Sequence, residues 1–144
     1  MRISDVLQSK SLKDVVTIRP DAGVRELLAT LAEHNIGAVV VSTDGTTLDG
    51  IVSERDVVRT LHHDGTVINN VVSSIMTTEV RTCSPEDGLD EVMQVMTELR
   101  FRHIPAADAE GRVVGIVSIG DLVKHKIDQL QFERDQLDSY VHQS

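Results

Sequence analysis

Apolar positions in this chain follow a rhythm that is played through twice. Val15 to Ile18 is a short β-branched run closed by Arg19-Pro20, after which Val24, Leu27, Leu28 and Leu31 recur at helical spacing. Ala38-Val39-Val40-Val41 reads as a buried strand, Asp44-Gly45 as a hairpin turn, and Leu48 to Val52 as the returning strand. A second helix follows from Ser53. Further along, Leu89, Val92, Met93, Met96 and Leu99 repeat the helical stripe and Glu110-Gly111 repeats the turn. The stretch from His62 to Asn70, with Gly65 and paired asparagines, reads as the linker.

The two passages are copies of one unit. Gly50 opens GIVSERDVVR and Gly115, 65 residues on, opens GIVSIGDLVK. The same offset pairs Val15 with Val80, Thr17 with Thr82, Pro20 with Pro85, Gly23 with Gly88, Glu26 with Glu91 and Glu33 with Glu98. A half of about 60 residues folds only marginally alone. The expected architecture is therefore α/β (α+β): two βαββα repeats packed about a pseudo-twofold axis, with two related clefts between them. Residues 1–64 form the first repeat, 70–128 the second, and 129–144 a C-terminal helical extension.

The recurring G-I-V-S-x-x-D sets a serine and an aspartate three positions apart where a strand becomes a helix. A helix start offers N–H groups to an anion, and a carboxylate can accept two hydrogen bonds from the diol of a ribose. The same spacing is also that of a capping box, in which Ser53 with Asp56, and Ser118 with Asp121, satisfy the first amides of their helices. Both readings stand on the residues alone.

The whole repeat, with Ser74-Ile75-Met76-Thr77 ahead of the second copy, Arg102-His103-Ile104-Pro105 and both G-I-V-S-x-x-D segments, resembles the CBS (cystathionine β-synthase type) domain, and the tandem resembles a stand-alone Bateman module. The resemblance runs from about Ser4 to Lys126. It implies a regulatory protein binding an adenine nucleotide between the halves: AMP, ADP or ATP, with NAD or S-adenosylmethionine as alternatives, and no required cofactor. It assigns Asp56 and Asp121 to ribose hydroxyls and Ser53 and Ser118 to the sugar or phosphate. Ile36, Gly37 and Ala38, and Phe101, Arg102 and His103, would line the adenine pocket of the opposite repeat, with Arg102 and Arg55 meeting phosphate. The first motif carries Glu54-Arg55 where the second has Ile119-Gly120, so the clefts are expected to differ.

Composition narrows the alternatives. Aromatic residues make up 2% of the chain, so a base would lack tryptophan or tyrosine platforms. A net charge of −9 opposes nucleic acid and anionic membranes, although the Arg100-Phe101-Arg102-His103 patch keeps nucleic-acid binding as a competing reading. An enzyme acting on a nucleotide is the other; no Ser-His-Asp set, phosphate loop or metal-ligand cluster supports it. His62-His63 lacks the spacing of a metal pair. His34 and His125 read as surface residues near helix ends. Cys83 aligns with Ile18 as a small core residue; with one cysteine and no charged-then-apolar leader or spanning run, a cytoplasmic setting is the expectation. Val123, Ile127, Leu130, Leu137 and Val141 extend an apolar stripe, interrupted at Arg134, beyond what one small domain can cover, which predicts a homodimer. The regulated partner leaves no trace in the sequence.

Overall fold

The computed structural model describes residues 1–10 and 15–142. Helix α1 spans Ile3–Ser9, strand β1 Thr17–Ile18, helix α2 Val24–His34, strand β2 Ala38–Val41, strand β3 Gly50–Ser53 and helix α3 Glu54–His63. Two 3-10 turns, Val67–Asn69 and Val72–Ser74, lead to helix α4 (Leu89–Leu99), strands β4 (His103–Ala107) and β5 (Val113–Ser118), and helix α5 (Ile119–Val141). In the first half β1 runs parallel to β2 and β3 antiparallel to it. In the second, β4 and β5 are antiparallel, and the expected first strand shrinks to a single parallel bridge between Cys83 and Ala106. That bridge is the counterpart of Ile18 against Val41. The rung before it is missing because Pro105 replaces Val40 and has no N–H to donate.

The α2 and α4 stripes bury Val24, Leu27 and Leu31, and Leu89, Val92 and Met96. Each such side chain contributes about 1.5–3 kcal/mol relative to exposure. Leu28 and Leu99, also expected in the stripes, are exposed. The Asp44-Gly45 hairpin turn is a wider loop, because the Asp44 carboxylate gathers the N–H groups of Thr46 and Thr47 at 2.9 and 2.7 Å, and β3 accordingly starts at Gly50. The shorter turn at Glu110-Gly111 forms as expected, with Gly111 at φ 79°.

Each half has its own apolar core, and each is completed by a segment from outside its repeat. Ile3 and Val6 of α1 are buried with Leu89, Met96, Ile104, Val117 and Leu122 of the second half. Val67 and Val72 are buried with Leu27, Val39 and Val52 of the first, so the supposed linker is a piece of core. Backbone bonds fix the exchange. Ile3 and Ser4 donate to Asp87 and Pro85 at 3.0 and 2.9 Å; Val72 and Ser73 donate to Ala22 and Pro20 at 2.8 and 2.9 Å. The receiving positions are 65 residues apart, but the donating ones are 69 apart, so the register slips by four residues ahead of β1.

The motif glycines permit this crossing. A Cβ at Gly50 would lie 2.7 Å from the Thr77 carbonyl oxygen, and one at Gly115 2.5 Å from Leu7 Cδ2. Thr77 in turn exchanges two backbone bonds of 2.9 Å with Ile51, attaching the start of the second repeat to the edge of the first sheet.

Candidate functional site

Two clefts open between the halves. Both helices that enter them are capped as the motif allows. Ser53 Oγ accepts the Asp56 N–H at 3.2 Å while Asp56 Oδ2 accepts the Ser53 N–H at 2.8 Å, and Ser118 and Asp121 repeat this at 3.0 and 2.9 Å. The capping reading is therefore correct in both copies. It does not exhaust the aspartates: every cap bond falls on Oδ2, and neither Oδ1 accepts a bond from a described residue.

The helix starts themselves offer less to an anion than the sequence suggests. Glu54 N–H donates to the Gly37 carbonyl at 3.0 Å and Ile119 N–H to that of Arg102 at 2.8 Å. With the two caps formed, most of the first amides are already committed. The same two bonds anchor the turns leading into β2 and β4, where Asn35 and Arg100 end their helices in the left-handed conformation at φ 51° and 59°. Asn adopts it readily; Arg does so at a cost of about 1–2 kcal/mol.

The first cleft, about 360 Å³, is bordered by Ser53, Arg55 and Asp56 of the first motif, by Phe101, Arg102 and His103 from the second half, and by Gly37 and Ala38. The second, about 540 Å³, is bordered by Ser118 and Asp121 with Ile36, Gly37, Ala38 and His103. Residues from both halves that the family resemblance named thus border the same clefts. Gly37, Ala38 and His103 belong to both walls. The His103 ring lies against Gly37, where a Cβ would come within 3.3 Å of its Cε1. Burial lowers the His103 pKa from the ordinary histidine value; Lys10 and Arg102 add to this, against the upward pull of Asp121 and Glu54.

Several bordering residues were not foreseen. Thr77, Glu79, Arg59, Arg81, Leu99 and Arg100 line the first cleft; Lys10, Lys124, His34 and His125 line the second. Arg59 was legible, one helical turn beyond Arg55 on α3. Lys10 was not, since it lies where the repeat register slips. Its ammonium donates to Asp121 Oδ2 at 2.9 Å and to the Ile116 carbonyl at 2.7 Å. In the first half the corresponding carbonyl, Ile51, accepts the Thr77 N–H instead. Burial raises the Asp121 pKa, but the bonds from Ser118 and Lys10 outweigh it and the net shift is downward. His125 is not at a helix end, because α5 continues to Val141; its Nε2 lies 2.8 Å from Ser9 Oγ inside the cleft. Cys83 is buried, and burial pushes its thiol up to about 11, in keeping with a core role.

Two halves of one βαββα plan, facing across paired clefts and exchanging their leading segments, define a tandem module of the CBS type. The chain belongs to the CBS domain family, whose profile matches it twice, over residues 3–63 and 72–128. It is 35% identical to the CBS domain-containing protein CBSX3, mitochondrial, of Arabidopsis thaliana, over 96% of this chain and 71% of that protein. A crystal structure of a CBS-domain containing protein from Agrobacterium tumefaciens superposes with a TM-score of 0.81 at 40% identity, covering 88% of this chain and 99% of that one. The crystal structure of CBSX2 from the same plant in complex with AMP superposes with a TM-score of 0.73 at 23% identity, covering 88% and 96%. Among the described residues no helix is long and apolar enough to cross a membrane, and no three histidine, cysteine or acidic side chains are grouped to hold a metal ion.

Proposed function

We propose that this protein is a regulatory module that binds an adenine nucleotide between its halves and carries the bound state to a partner protein, without chemistry of its own. One observation carries the reading. Asp56 and Asp121 each use one carboxylate oxygen to cap a helix and keep the other for a ligand, at the border of a cleft that receives the backbone of the opposite half. A carboxylate held in this way accepts hydrogen bonds from vicinal ribose hydroxyls, while the turns before β2 and β4 supply backbone for the base. The AMP held by a neighbour of the same fold supports the ligand class.

The protein acts as a homodimer in this reading. On α5, Ile127, Leu130 and Leu137 are 50%, 51% and 65% exposed, an apolar row that a second copy would cover. Arg134, which interrupts it, pairs with Asp135 rather than with Glu133 or Asp138. A cytoplasmic setting belongs to the same proposal.

Calorimetric titration with AMP, ADP, ATP, NAD and S-adenosylmethionine tests the ligand. At least one adenine nucleotide binds, and Asp56→Asn or Asp121→Asn weakens it by about 10- to 100-fold, the worth of a charge-assisted hydrogen bond. Apo stability changes little in Asp56→Asn, since asparagine keeps an oxygen for the cap, and falls in Asp121→Asn, which also loses the charge paired with Lys10. No binding across the panel, or full affinity in both variants, refutes the reading. Product analysis after incubation with ATP separates it from catalysis: ATP remains intact.

A further inference from the structure

The arginines of this chain sort into two groups. Arg2, Arg19, Arg25, Arg112 and Arg134 each hold a side-chain partner: Glu86, Asp21, Asn69, Asp108 with Glu110, and Asp135 respectively. The other five, Arg55, Arg59, Arg81, Arg100 and Arg102, all border the first cleft, and none pairs with a side chain among the described residues. This happens in a chain with 23 acidic residues against 14 basic ones, where an arginine readily meets a carboxylate. Glu54, Asp56 and Glu79 border the same cleft, so the cations outnumber the acids there while the whole chain carries −9.

The second cleft is built differently. Its cations are Lys10 and Lys124, and Lys10 is already committed to Asp121 and the Ile116 carbonyl. Arg100 ends α4 left-handed where the first half uses Asn35, and so stands at the rim of the first cleft. With most first amides of α3 bonded internally, guanidinium groups are what remains to meet an anion in the first cleft.

We infer that the first cleft selects nucleotides bearing two or more phosphates, the five arginines acting as counter-charges to the polyphosphate chain, and that the second cleft does not share this selectivity. A single phosphate has charge for one or two guanidinium forks; five call for a longer anion. The inference rests on the nucleotide reading above.

The test is calorimetry on the full chain with adenosine, AMP, ADP, ATP and inorganic tripolyphosphate, without magnesium, at two salt concentrations. The expected result is that affinity rises with each phosphate, ATP exceeding AMP by about tenfold or more (1.4 kcal/mol per decade) and losing more to salt. In the double variant Arg59→Ala, Arg81→Ala, which circular dichroism must show to be folded, the ratio of ATP to AMP affinity falls to about one. Equal affinity for AMP and ATP in the wild type, or an unchanged ratio in the folded variant, overturns the selectivity while leaving the nucleotide reading intact. Tripolyphosphate binding with no response to any nucleotide does the reverse, sinking the nucleotide reading and keeping the polyanion site.

Discussion

Replacing Gly50 by alanine adds one methyl group at the point where the two repeats are fastened together. The new Cβ would stand 2.7 Å from the Thr77 carbonyl oxygen and 3.1 Å from Met76 Sδ. The thioether can swing aside, but the carbonyl cannot: it accepts the Ile51 N–H at 2.9 Å, and the Thr77 N–H is bonded to the Ile51 carbonyl at the same distance. Reaching ordinary contact requires the strand and the Thr77 peptide to part by about 0.7 Å, which stretches both bonds. Overpacking of this kind costs about 1–3 kcal/mol, and the smaller unfolded-state entropy of alanine returns about 0.4–1 kcal/mol. A net loss of about 1–2 kcal/mol lowers the melting temperature of a chain this size by roughly 3–8 °C. The counterpart, Gly115→Ala, meets a nearer atom at 2.5 Å, but that atom is a methyl of the Leu7 side chain, which can rotate. Its loss should be less than half as great. Thermal melts of both variants followed by circular dichroism, with amide exchange at Ile51 and Thr77, decide the matter. If Gly115→Ala is the more damaging, or if Gly50→Ala melts within a degree of wild type, the rigidity assigned to the Thr77 crossing is wrong.

Three further outcomes are expected. Because the folded His103 pKa lies below the ordinary 6.5, the unfolded chain takes up this proton first as pH falls; stability is lost from about pH 6.5 down through the folded pKa, and His103→Gln flattens that part of the melting-temperature profile between pH 7.5 and 5.5. An identical slope in the variant would remove His103 from the account. Arg100→Asn copies Asn35 and relieves a left-handed arginine, so the apo protein gains about 1 kcal/mol in urea unfolding while ATP binds more weakly; a destabilised variant contradicts this. Truncation after Lys126 removes most of the exposed row on α5, so multi-angle light scattering should show a full-length dimer at tens of micromolar and a weakened or rearranged one after truncation. A full-length monomer refutes the assembly.

What the sequence disclosed, and what it withheld, follows from how far each interaction reaches. The strands and helices that carry local periodicity were legible, and one offset maps Asp56 onto Asp121 and Ala38 onto His103, while the pairing of each motif with the opposite half came from the family resemblance. Interactions that break the offset were not. Lys10 and the buried Val67 and Val72 sit where the register moves from 65 to 69 residues, so the repeat pointed away from their true neighbours. The second copy's first strand failed for a different reason: Thr82 and Cys83 keep the pattern of Thr17 and Ile18, but the loss depends on Pro105, which lies on another strand. Asp44 shows the same limit at short range, since an aspartate before glycine signals a tight turn until its carboxylate finds two threonine amides. The arginines were visible individually, and only the fold shows that the five with no side-chain partner among the described residues share one cavity.

The exchange of leading segments makes the two halves behave as links of a closed chain. Ile3 must find Asp87 and Leu89 must find Met1 before the second core is shut, and Val24 must find Asn70 to shut the first. Each closure spans a long stretch of sequence, so folding waits on distant encounters, and neither core gains its full burial until the other half is in place. Cutting the backbone at Gly65 would accordingly sever the connection without parting the pieces. The amino-terminal fragment would still hold the other through α1 seated among Leu89, Val92 and Met96, and would be held in return by Val67 and Val72. Two fragments expressed separately should recombine into one particle with both clefts formed, whereas either alone would expose the apolar surface that its partner's segment was meant to cover.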